Sequence, residues 1–164
     1  MIENQVYLRL PLPEDLDLMW EIESDVKNRS FASENAFNLT KEELFQFILS
    51  DHDFIKYGQL RYTAVINHVP IGFFDLYDLS LEKHSAGIGI ILAEQYRGKG
   101  FASQSLMLLE QYAKLEHGLK KLYAVVAKSN ESAKNFFQKN AYKMKIPASD
   151  VQIFHHTYYL EKLL

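Results

Sequence analysis

A chain of 164 residues, 48% apolar and with a formal charge of −3, suits one folded domain with a real core rather than two domains or a disordered polypeptide. The absence of cysteine excludes disulfides, cysteine nucleophiles and thiolate metal sites, and the six histidines offer no convincing ligand set, so no metal is expected. No apolar run approaches the roughly 18 residues of a membrane span, and Met1-Ile2-Glu3-Asn4-Gln5 lacks the basic stretch and apolar block of a secretory signal, so a cytoplasmic protein that makes no use of a membrane is expected.

The elements follow in order. Residues 6–10 alternate like a strand, and Pro13-Glu14-Asp15 opens a first helix with proline and acids in its first turn, running to about Asp25. After a loop, Thr40-Lys41-Glu42-Glu43 forms a capping box for a second helix carrying Leu44, Phe45, Phe47, Ile48 and Leu49 and ending near Ser50. Residues 59–66 and 71–79 read as a hairpin around Asn67-His68-Val69-Pro70, with 87–92 as the next strand. A third helix from Gly100 to about Glu116 places Phe101, Leu108, Leu109, Tyr112 and Leu115 along one face and stops before Gly118. Residues 122–127 form a buried strand, Asn130 caps a fourth helix ending near Asn140, and 142–146 and 153–160 close the chain as strands. The order is β-α-α-β-β-β-α-β-α-β-β.

Between the strand ending at Leu92 and the third helix stands Gln95-Tyr96-Arg97-Gly98-Lys99-Gly100-Phe101-Ala102. A strand that runs into a two-glycine loop leaves backbone N–H groups unpaired, and the helix behind it adds the positive end of its dipole, so the segment reads as a pyrophosphate cradle. Other phosphate loops fit less well. A P-loop needs Ser or Thr after Gly-Lys, where Gly100 stands, and a dinucleotide fingerprint needs a third glycine where Ser103 stands.

The Q-x-x-G-x-G spacing resembles the acetyl-CoA signature of the GNAT superfamily of N-acetyltransferases, and 130–142, Asn130 through Ala133, Phe137, Lys139 and Tyr142, is similar to that family's N-x-x-A-x-x-x-Y-x-K-x-G-F stretch. The stretch 72–80 is closest to the ribosomal-protein-type and spermidine/diamine branches. The resemblance covers nearly the whole chain. It implies a single α/β (α+β) domain with a mixed, mostly antiparallel sheet of about seven strands and four helices, in which the strand before the cradle and the next one splay apart for the pantetheine arm. It also implies acetyl-CoA as co-substrate, with backbone amides of Arg97, Gly98, Lys99, Gly100, Phe101 and Ala102 on the pyrophosphate. Ile90, Ile91 and Leu92 would lie along pantetheine, and Asn130, Ala133, Phe137 and Lys139 would complete the cofactor side.

Two positions depart from the family. Where many relatives carry a glutamate that helps deprotonate the incoming ammonium, this chain has Gly87, and where many carry a tyrosine that protonates the thiolate, it has Phe137. A positioned acid contributes on the order of 10²–10⁴ in rate, so its loss slows transfer without forbidding it. An alkylamine is deprotonated to only about one part in 10³ at pH 7, so a substitute base is expected. Asp75 is the first candidate, because it alternates with Phe73 and Tyr77 and desolvation beside aromatic rings would suit a base working near neutrality. Asp78, Glu34 and His84 are weaker candidates. An oxyanion donor is expected from a backbone N–H at the bend that Gly87 and Gly89 permit.

Charge is uneven: residues 1–55 hold 12 acidic and 4 basic side chains, and residues 56–164 hold 9 and 14. A basic second half suits an anionic cofactor and an acidic first third suits a cationic acceptor, although solvated helix faces explain both. By resemblance the first two helices and their connection shape the acceptor site, where Phe31, Glu34 and Phe37, with Asp78, would receive an ammonium and its alkyl chain. This leans toward transfer to a small-molecule amine such as a diamine or polyamine, with a peptide N-terminus open. A non-catalytic acyl-CoA-binding sensor is the rival reading. A pI of about 6.1 and scattered basic residues argue against nucleic acid. The run Tyr158-Tyr159-Leu160 suits either a homodimer contact through an edge strand or burial within one copy.

Overall fold

The structure, a computed structural model, describes residues 5–29, 39–147, 149 and 156–164. Strands β1 (Val6–Arg9), β2 (Leu60–Ile66), β3 (Val69–Ser80), β4 (Ser85–Leu92), β5 (Lys121–Ala127), β6 (Lys143–Met144) and β7 (Thr157–Leu163) form one sheet in the order β1-β2-β3-β4-β5-β7-β6. Every neighbouring pair is antiparallel except β4–β5. Helices α1 (Leu16–Ser24), α2 (Val26–Arg29), α3 (Lys41–Ile48), α4 (Phe54–Tyr57), α5 (Phe101–Leu115) and α6 (Glu131–Lys139) complete the fold. The expected order holds, with α2 and α4 as short additions.

The sheet separates two cores. On one face Leu106, Leu109 and Ala113 of α5 and Phe137 of α6 pack on Phe74, Leu76 and Leu122; on the other Met19 and Ile22 of α1 and Leu44 and Ile48 of α3 pack on Phe73. Strand β3 alternates between them, which is why both Phe73 and Phe74 are fully buried. Asp15 ties the first helix to the sheet: its buried carboxylate accepts both nitrogens of the Arg9 fork at 2.6 and 2.9 Å, the Leu12 amide at 2.9 Å and the Thr63 hydroxyl at 2.9 Å. Burial alone would push this carboxyl up, but those hydrogen bonds hold it below its usual range.

Thr40 and Glu43 make the capping box, and Asn130 accepts from the Ala133 amide at 3.1 Å to cap α6. Three expectations change. The hairpin turn is the two residues Asn67 and His68, both at positive φ, so Val69 and Pro70 belong to β3. Leu115 is 80% exposed, while Leu109 is buried and Phe101, Leu108 and Tyr112 pack against the core as expected, with Leu106 and Ala113 buried beside them. The last strand extends to Leu163 and pairs with β5 along its whole length, so Tyr159 and Leu160 are interior and do not form an edge; the expected start at 153–155 lies outside the described residues.

Candidate active site

Strand β4 runs straight into the cradle. Gly98 and Gly100 sit at φ 72° and 84°, and a Cβ at either would meet nothing within 4 Å, so backbone conformation is what requires glycine here. Gly100 is the N-cap of α5 and offers no side-chain acceptor, so the first amides of a 15-residue helix stand at an exposed loop without a side-chain cap. Arg97 turns away from that loop: its Nε donates to the Leu92 carbonyl at 2.8 Å and its Nη2 to Asn28 Oδ1 at 3.3 Å. The carbonyl of Leu92 is thereby taken, and Arg97 serves as a brace between β4 and α2.

Strands β4 and β5 pair only at Ser85–Lys121, Ala86–Leu122 and Gly87–Tyr123, then diverge. The β3–β4 register, with the Ala93 amide on the Ile71 carbonyl, directs the main-chain groups of Gly87, Gly89 and Ile91 toward β3. Those of Ile90 face the gap. By the same parity, bonds from Lys128 to His156 and from Leu164 to Lys120 turn Val125 of β5 toward it. The Gly87 and Gly89 amides are therefore no oxyanion donors, and the gap is lined by Ile90 and Val125 instead.

Gly87 has a second role. A Cβ there would lie 2.5 Å from Cζ of Tyr77, so the Tyr77 ring fills the space a side chain at 87 would need. The ring also meets Tyr123 edge-on at 6.1 Å, and Tyr123 stacks on Tyr159 at 5.4 Å. Burial pushes both the Tyr77 and Tyr123 phenols well above their usual range, reinforced by the nearby Asp78 charge. Asp78 sits at φ 49° in an irregular step of β3 that aims its carboxylate at the Tyr123 hydroxyl, 3.3 Å away.

Under α1 and α3, a cavity of about 290 Å³ is lined by Glu23, Phe47, Arg61, Asp75 and Tyr77, among others. Arg61 Nε and Nη2 hold the two Asp75 oxygens at 2.7 and 2.8 Å, while Nη1 holds Glu23 at 2.8 Å. Its guanidinium lies 5.4 Å from the Phe73 ring centroid and 5.8 Å from that of Phe47. Two carboxylates against one guanidinium leave this trio one negative charge. Asp75 is thus not the isolated carboxylate among aromatic rings that its strand position suggests.

Phe31, Glu34 and Phe37 lie outside the described residues. Of the other positions singled out, Asn130 spends its Oδ1 on the α6 cap, Lys139 is exposed, and Phe137 is buried against Phe136 and Tyr142 with ring centroids 5.2 Å away in each case. Ile91 points its side chain at the α1–α3 core. Tyr77 shares the face of Asp75 as the strand alternation implies, whereas Arg61 and Glu23 escape a reading of the sequence, because nothing local in it says that they share the cavity under α1 and α3. Among the described residues no helix is long and apolar enough to cross a membrane.

The sequence profile of the acetyltransferase (GNAT) family matches residues 17–142. The chain belongs to this family. Its similarity to spermidine N(1)-acetyltransferase of Escherichia coli K12 is 26% identity over 88 residues, 54% of this chain, and the chain spans about half the length of that relative, 47%. The fold of this GNAT domain is also that of spermidine N-acetyltransferase from Vibrio cholerae in complex with CoA and spermine, with TM-score 0.78 and 20% identity over 97% of this chain and 95% of that one. The ribosomal L7/L12 α-N-protein acetyltransferase RimL, in complex with coenzyme A, superposes with TM-score 0.79 and 14% identity over 100% of this chain and 97% of that one. In this chain the Tyr77 ring occupies the space that a side chain at 87 would take.

Proposed function

We propose that this chain transfers an acetyl group from acetyl-CoA to a primary amine, and that the acceptor is a small cationic amine of the diamine or polyamine kind. The observation that carries the acceptor is the Glu23–Arg61–Asp75 trio, net negative and bordering a cavity of about 290 Å³ beside Tyr77 and the β4–β5 gap. An ammonium group gains from that charge and from the Phe47 face, while Arg61 keeps the two carboxylates from repelling one another. Similarity to spermidine N-acetyltransferases supports the same reading.

On the cofactor side the residues fit acetyl-CoA. The amides from Gly98 to Ala102 would take the pyrophosphate, with the α5 dipole behind them, and the open main-chain groups of Ile90 would pair with the pantetheine amides as a strand would. Acetyl-CoA supplies the activated acyl group. The chain's own residues orient it and hold the amine. Asp75 and Glu23 are placed to anchor an ammonium, since Asp75 already shares its charge with Arg61. Phe137, in an apolar core, protonates nothing, and a thiol with a reference pKa of about 8.5 leaves as thiolate without it.

The test is release of free CoA from acetyl-CoA with spermidine, short diamines, amino sugars and peptide amines beside a no-amine blank. Stimulation by diamines or polyamines above the other classes is expected. Tight acetyl-CoA binding with no stimulation by any amine would replace the enzyme with an acyl-CoA sensor.

A further inference from the structure

Tyr77 stands where the β4–β5 gap begins. The last β4–β5 pair is Gly87–Tyr123, and the Tyr77 ring covers Gly87 and abuts Tyr123. Two residues past Tyr123, the backbone of Val125 turns toward the gap. The Tyr77 ring therefore stands at the apex where the two strands part. From that apex to the cradle, Ile88 to Leu92 span five residues, about 16 Å of strand at ~3.3 Å per residue. An acyl-CoA held by its phosphates at the cradle and extended along β4 carries its thioester at the far end, toward Tyr77.

We propose that the Tyr77 hydroxyl is a catalytic hydrogen-bond donor to the thioester carbonyl oxygen. The inference rests on the acetyl-transfer reading above. As the neutral amine's lone pair adds to the carbonyl carbon, the C=O π pair moves onto oxygen; when that pair returns, the C–S bond breaks, its electrons leave on sulfur as thiolate, and the surplus proton on the attacking nitrogen passes to water, leaving the neutral amide. Tyr77 stabilises the charge on oxygen and keeps its own proton throughout. The ring over Gly87 puts the phenol at the corner where β4 and β5 part. Burial holds the phenol well above its usual range, which suits a donor to a strongly basic alkoxide. It does not suit an acid for a weakly basic thiolate, nor a base for an ammonium. The chain thus trades the side chain at 87 for a ring from the neighbouring strand, delivered to the same corner of the sheet.

Tyr77→Phe keeps the ring over Gly87 and against Tyr123 and removes only the hydroxyl. Two readouts are expected to move together. The carbonyl stretch of bound carbonyl-labelled acetyl-CoA, shifted to lower frequency by the wild-type protein, should return toward its value in solution, with Kd for acetyl-CoA changed less than threefold. With the best amine, kcat should fall about 10²–10³-fold, the usual loss for one oxyanion donor, with the shape of its pH profile retained. Gly87→Ala keeps the hydroxyl but drives the ring off the apex, and should give the same loss of band shift. An unchanged carbonyl band in both variants, or a kcat within threefold of wild type in Tyr77→Phe, overturns the proposal. The infrared measurement needs no acceptor, so a wild-type protein that shifts the band but acetylates no amine would refute the transferase reading while upholding the contact with Tyr77.

Discussion

The proposed phosphate cradle is made almost wholly of backbone, whereas the cavity under α1 and α3 is made of side chains carried in by α1, α3, β2 and β3. The first needs two glycines at positive φ and a helix start, all within a few consecutive residues. The second needs Glu23, Arg61 and Asp75, of which the two carboxylates are separated by more than fifty positions, to meet at hydrogen-bonding distance. One is robust to almost any side-chain change away from glycine. The other stands or falls with single charges, and that contrast gives each side its own mode of failure.

The largest effect is expected on the side-chain half. Arg61 is 16% exposed, and Arg61→Ala leaves Glu23 and Asp75 facing each other without a counter-charge. A loss of about 3 kcal/mol is expected, the low end for breaking a buried pair, since the carboxylates are partly solvated. At about 2–4 °C per kcal/mol for a chain of this size, thermal denaturation should show a Tm roughly 6–12 °C lower. A Tm unchanged within 2 °C would show that the trio is a surface ornament rather than a built site.

On the backbone half, Gly98→Val forces a β-branched residue to φ 72°. Acetyl-CoA affinity by calorimetry should fall about 100-fold, within the 1–3 kcal/mol of such backbone strain, with the fold retained because no neighbour lies within 4 Å. Retained affinity would remove the cradle assignment.

Asp75→Asn separates anchoring from proton abstraction. As an anchor, its loss should raise KM for the amine about tenfold, a charged hydrogen bond's worth, while kcat and the shape of its pH profile hold. A collapse of kcat with a flattened pH profile would return Asp75 to the role of base. The smallest effect belongs to Asn130→Ala, which removes the α6 cap at a cost of about 1 kcal/mol in urea denaturation and should leave acetyl-CoA affinity within threefold. A tenfold loss of affinity would place the Asn130 amide on the cofactor as well as on the helix.

Much of the fold was legible because its signals are local. Thr40 with Glu43, and Asn130, punctuate helices through bonds that span three residues, Gly118 follows α5 at positive φ, and alternation along β3 marks both cores. Register was not legible, for an identifiable reason. The turn at Asn67 and His68 pairs Ile66 with Val69, and continued regularly it would set Leu60 opposite Asp75. A bulge between Ala64 and Val65, opposite the donor-less Pro70, slips the ladder by one residue and delivers Arg61 instead. One inserted residue therefore decides whether the cavity holds a charge trio or an apolar contact.

By itself the sequence determined the order of elements, the helix caps and the two-glycine loop at positive φ, because each depends on backbone conformations and short-range hydrogen bonds that a few adjacent residues dictate. Only the tertiary structure decided what faces what: Arg61 on Asp75 and Glu23, Tyr77 over Gly87, and the Val125 backbone turned to the gap. Those contacts depend on strand register, on a bulge and on the point where two parallel strands part. Each is set by packing summed over the whole sheet, and no short stretch of the chain contains enough of that sum to reveal it.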